Sequence, residues 1–177
     1  MNTGQMMLTT LAIVLLGTTV LTVNRSSLQH GTILQQTQIG VYGISLAASM
    51  IEEASGKAFD KNTDDAAVTI QSGLTAYNAL GKDAGETTTA TFDDFDDYDK
   101  LSIPQVVAGV DSFTVKASVY YVNETAPNVK VNTQTWYKRM DVLVLPSGLT
   151  DTSRIKQGLA TGDTIKMSYI FTYFNFR

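Results

Sequence analysis

Eight consecutive residues, Phe92-Asp93-Asp94-Phe95-Asp96-Asp97-Tyr98-Asp99, hold five carboxylates and three aromatic rings. Carboxylate oxygens are hard ligands, and a calcium ion takes roughly six to eight oxygens. The stretch offers Asp93, Asp94, Asp96, Asp97 and Asp99 as candidate calcium ligands, and calcium is the one cofactor the sequence suggests. Their spacing is not that of an EF-hand, which needs a central glycine and a distal glutamate. A structural reading of the same residues stands beside this one. In it the aromatics pin the loop to a core while the acids cap turns and face solvent.

Little other chemistry is available. The chain has no cysteine, and its one histidine, His30, precedes every candidate strand. Ser-His-Asp and Cys-His constellations and His-ligated zinc therefore cannot be built from the residues that follow. Gly81 to Gly85 lacks the lysine and the following helix of a phosphate-binding loop. Adjacent aspartates are weak evidence for the paired carboxylates of a glycosidase. The expectation is a protein that is not an enzyme.

Charge is distributed unevenly. Of 13 basic and 17 acidic residues, only Arg25 precedes Glu52, which leaves about −5 (12 minus 17) on the remainder. An acidic remainder without a basic patch argues against nucleic acid as a partner.

The nearly uncharged part opens with Met6–Val23, long and apolar enough to span or nearly span a membrane. Neither a basic start nor a small-x-small cleavage site accompanies it, so a retained membrane segment is expected rather than a removed signal. Helical character is expected from about Asn2 to Ala58, roughly 80 Å at 1.5 Å per residue. Five threonines (Thr9, Thr10, Thr18, Thr19 and Thr22) interrupt the apolar run, and their hydroxyls can bond back to the preceding turn. After Arg25 two apolar stripes follow helical spacing. One is Ile33, Thr37, Val41, Ile44, Ala48, Ile51 and Ala58; the other is Ile39, Tyr42, Leu46 and Met50. Two faces are more than a helix lying on its own domain needs.

The segment from Asp60 to Thr91 reads as charged and turn-rich, with Ala66–Leu80 open between a short helix and a loop. Alternation then marks strands at Phe113–Val122, Thr135–Leu145 and Thr164–Phe176, each with one apolar face. Lys138 is the exception on the second. The links Asn123–Thr133 and Pro146–Asp163 suit an antiparallel meander. The expected class is α+β: a long N-terminal hydrophobic helix over 1–58, then a head over 59–177, with the helix's second half covering a small antiparallel sheet.

Met6–Val23, its continuation to Ile51-Glu52-Glu53-Ala54, the acidic FDD-x-DDY loop and the strands ending at Tyr173-Phe174 together resemble a type IV pilin or pseudopilin. The likeness covers the layout of the whole chain. It implies a structural subunit held in the inner membrane by its helix, handled by an inner-membrane assembly platform, then packed with copies of itself in an extracellular helical filament. The assembly positions implied before Arg25 are Met6, Leu8, Leu11, Val14, Leu15, Val20 and Val23. Beyond it they are Leu28, Ile33, Ile39, Tyr42, Leu46 and Met50. The family's glutamate at the fifth mature position is absent: Thr9 or Gln5 stands there, according to the frame. The C-terminal disulfide of many pilins is absent too. A minor pilin, a secretion-system pseudopilin and a membrane-anchored binding module acting as a monomer are the alternatives.

Overall fold

The structure is a computed structural model that describes residues 2–64, 66–146 and 164–176. One helix, α1, runs from Thr3 to Ser55 (53 residues). Its first turn uses the Asn2 carbonyl, which accepts from the Gln5 and Met6 amides. The threonine hydroxyls turn inward as expected: Thr10 donates to the Met6 carbonyl at 2.7 Å and Thr19 to that of Leu15 at 2.7 Å. Satisfying them locally leaves an apolar exterior. Helix α1 is long and apolar enough to cross a membrane.

The chain separates into two compact units, 1–39 and 40–177. From Gly40 onward the helix belongs to the second unit, the head. Gly43, Ala47, Met50 and Ala54 form its buried stripe. A Cβ placed on Gly43 would collide with the Ile165 side chain and touch Val144 at 3.7 Å, so glycine permits a close approach there.

The head is built on an antiparallel sheet of five strands. These are β1 (Ser102–Val107), β2 (Asp111–Asn123), β3 (Ala126–Lys130), β4 (Tyr137–Pro146) and β5 (Ile165–Thr172). The order is β1-β2-β4-β5, with β3 paired to the end of β2 after an irregularity at Val122/Asn123. The alternation works out in register. Ile103, Val115, Val144 and Ile165 stand in one row, and Val119, Met140 and Tyr169 in another. Phe113, Val115, Ala117, Val119 and Tyr121 are all buried.

Two expectations change, and one open segment takes a definite form. β3 falls inside the expected link Asn123–Thr133. The third strand stops at Thr172 and gives way to a 3-10 turn, Tyr173–Phe176. The ambiguous Ala66–Leu80 contains only the short turn Gln71–Gly73, while Lys61–Asp64 makes a one-turn helix, α2. Positions 147–163 of the expected link after Pro146 lie outside the described residues.

Candidate functional site

The acidic loop is held at both ends and in the middle. Phe92, Phe95 and Tyr98 are 2% exposed or less. The Phe92 ring meets Tyr98 edge-on at 5.0 Å, and Phe95 meets Phe171 of β5 at 4.8 Å. The backbone joins in: the Ala58 amide donates to the Asp93 carbonyl, the Phe95 amide donates to the Ala58 carbonyl, and the Lys57 ammonium donates to the Phe92 carbonyl.

Within this frame the five aspartates part company. Asp94 accepts from the Asp96 and Asp97 amides through Oδ1, while Asp97 Oδ2 accepts from the Asp93 and Asp94 amides at 3.1 Å each. These are reciprocal caps, which close a turn using donors that would otherwise be orphaned. Asp99 Oδ1 accepts from the Val119 amide of β2. Asp96 faces inward to Lys138. The five therefore do not converge on one ion: Asp96 and Asp99 are committed elsewhere. The structural alternative needs correction as well. Its capping holds, but Asp94, Asp96 and Asp97 are buried rather than turned to solvent.

Lys138, the odd charge on β4, stands between Tyr121 and Phe171 in the sheet register and is fully buried. Its ammonium donates to Asp60 Oδ2 and the Phe59 carbonyl at 2.8 Å each, and to Asp96 Oδ1. The Phe59 and Tyr121 rings face the same cation at 4.7 and 5.4 Å. Asp60 is in turn filled by the Thr75 amide and hydroxyl, the Asn62 amide and the Tyr121 hydroxyl. Burial opposes ionising Asp60, yet Lys138 and these donors hold its carboxyl below the usual range. Burial also dominates at Asp96, where Lys138 offsets it only in part and the charge of Asp60 adds to it, so the pKa is raised. The pair of acids and the lysine form a buried ionic hub that ties the residues after α1, the acidic loop and the sheet together. A hub of this kind is a positional lock more than a source of net stability.

A second group of acids lies on the outer side of the loop. Asp83-Ala84-Gly85-Glu86 makes a tight turn in which Gly85 takes φ +103°, a conformation glycine adopts without strain. The turn sets Glu86 beside the loop, with its Oε2 accepting from the Asp83 amide at 2.8 Å. Carboxylate oxygens of Glu86, Asp93 and Asp97 come within 4.8 Å of one another, as do those of Asp83, Asp93 and Asp94. Burial, with the neighbouring acids, pushes Asp97 up to about 7; burial, then the charge of Asp96, pushes Asp94 up to about 8. Lys61, ion-paired with Asp83, is a cation beside this group.

A third polar cluster escaped sequence reasoning. Asp141 on β4 accepts from Arg139, Ser168 and the Tyr120 hydroxyl and pairs with Lys166. Although burial opposes it, these donors hold its carboxyl far below the usual range. Nothing in the sequence marks its partners.

The remaining sites are on α1. Met6, Leu8, Leu11, Val14, Leu15, Val20 and Val23 are exposed along the first unit, as are Leu28 and Ile33. Farther on, Val41, Tyr42 and Ile44 are exposed (61%, 41% and 53%). Ile39 and Met50 are not: at 5% and 7% exposed they are buried within the chain itself, and Leu46 is half-buried. The buried stripe runs through Gly43, Ala47 and Ala54, small residues that a search for large apolar side chains passes over.

Scans against models of protein families, curated protein sequences and solved structures found no match.

Proposed function

We propose that this chain is a structural subunit of a type IV pilus-like filament, held in the inner membrane by α1 before assembly and packed through α1 in the filament core afterwards. The carrying observation is the second apolar face. Gly43, Ala47, Met50 and Ala54 already bury one side of the helix in the head, yet Val41, Tyr42 and Ile44 still present apolar surface on other sides. In this reading the head covers one side of α1 in the pilin manner and neighbouring subunits cover the rest.

The two parts of the helix then contribute differently. Lipid is as apolar as leucine, so the segment before Arg25 gains on assembly through close packing rather than through the hydrophobic effect. The exposed residues past Arg25 leave water when copies associate, and each Val, Leu or Ile buried contributes about 1.5–3 kcal/mol. The near absence of charge follows, since an unpaired charge in such a core costs several kcal/mol. Contacts between different faces of successive copies propagate as an open helical array.

The test is electron microscopy of sheared surface material from cells expressing the full chain, with Tyr42→Lys and Ile44→Glu variants beside it. Filaments are expected from the parent and are lost in both variants, whose heads melt within about 2 °C of the parent because the substituted side chains are exposed. Abundant expression without filaments, or filaments unaffected by both charges, overturns the reading in favour of an anchored monomer.

A further inference from the structure

Among the described residues two buried side-chain atoms have no hydrogen-bond partner, the Tyr98 hydroxyl and a carboxylate oxygen of Asp97. Asp97 is 1% exposed, and its Oδ1 has no hydrogen-bond partner, although Oδ2 has two. Buried polar atoms are nearly always satisfied, and an orphaned carboxylate oxygen carries the cost of its lost hydration. A carboxylate oxygen of Asp97 lies within 4.8 Å of carboxylate oxygens of Glu86 and Asp93, two more acids.

From this arrangement we infer a binding site for a hard divalent cation, calcium above all, formed by Glu86, Asp93 and Asp97 with Asp83 and Asp94 alongside. The ligands come from two loops. The Asp83–Glu86 turn supplies one side, and the capped Phe92–Asp99 loop supplies the other. Oxygens within 4.8 Å of one another can all reach one ion at about 2.3–2.6 Å. Calcium tolerates an irregular oxygen shell of the kind two separate loops supply, whereas magnesium demands a near-ideal octahedron, so the arrangement favours calcium. Asp93 is exposed, which leaves an entry path and room for water to complete the shell. Lys61 is the competing cation; it is mostly exposed and already paired with Asp83, so it can withdraw when an ion enters. The ligand set differs from the run of five aspartates in the loop: Glu86 and Asp83 enter it, and Asp96 and Asp99 leave.

The site does not depend on assembly, and its test uses unassembled full-length protein in mild detergent. Melting is followed in EDTA, in millimolar calcium and in millimolar magnesium, with calcium titrated calorimetrically in parallel. Calcium is expected to raise the melting temperature by about 5 °C or more at saturation, with a smaller rise in magnesium. Glu86→Gln and Asp97→Asn keep a carbonyl for the backbone donors but remove the charge. Both are expected to fold and to melt in EDTA no lower than the parent, because repulsion is relieved, and to lose the calcium response at least tenfold in affinity. Equal melting of the parent in calcium and EDTA with no heat of binding overturns the site. So does a calcium response that survives in both variants, since the ion would then bind elsewhere.

Discussion

Lys138 shows what a single residue can and cannot reveal in advance. The alternation of β4 marks it as a charge on an apolar face, and that much is legible. Its partners are not, because Asp60 and Asp96 lie 78 and 42 residues away and neither distance is fixed by any local period. Asp60 reads as an ordinary loop acid until Thr75, Asn62 and Tyr121 are seen filling it. The same blindness hid Glu86, whose place beside Asp97 depends on a turn meeting a distant loop. Removing one member of the hub leaves buried charge without compensation. Lys138→Met is therefore expected to lower head stability by about 3–5 kcal/mol. Adding Asp60→Asn and Asp96→Asn to it should restore most of that loss, since three neutral groups need no partner ion. Trp136, the only tryptophan, stacks on Tyr173 at 5.0 Å, so its fluorescence during urea unfolding reports the comparison. A single variant as stable as the parent would mean that the ionic contacts contribute nothing to holding the loop.

At the scale of elements, the helix and the central strands were legible because their periods are long and clean. The uncharged run predicts α1 to within a few residues, and β2 and β4 depart from expectation by two residues or fewer at each end. β3 was hidden because its five residues, with a proline second, show no alternation worth reading. The face of α1 that packs inward was not legible for a different reason. Close approach selects small residues, so Gly43, Ala47 and Ala54 are the contact and the larger Tyr42 is not. The consequence is measurable. Gly43→Val should destabilise the head by about 1–3 kcal/mol through overpacking against Ile165. Gly40→Ala, where an added Cβ meets nothing within 4 Å, should instead be neutral or stabilise by up to about 1 kcal/mol. Melting both variants beside the parent separates the two glycines, and equal effects would contradict the close packing at Gly43.

For the whole molecule, the partition of charge bears on how copies would associate in the proposed filament. The residues from Glu52 onward carry about −5, and the fifty-one before them carry one arginine. Heads brought side by side would repel one another, while apolar helix surface would attract. Screening shortens the reach of charge from about 10 Å at 0.1 M salt to about 3 Å at 1 M, and leaves burial of apolar area intact. Filaments held by α1 should therefore persist, or lengthen, as sodium chloride is raised from 50 mM to 1 M. Mild detergent, which offers the exposed Val41 and Ile44 an alternative apolar surface, should shorten them. Light scattering and microscopy on one preparation measure both responses. Dissolution by salt alone would place the cohesion in ion pairs between heads and would remove the helix from the centre of the assembly mechanism.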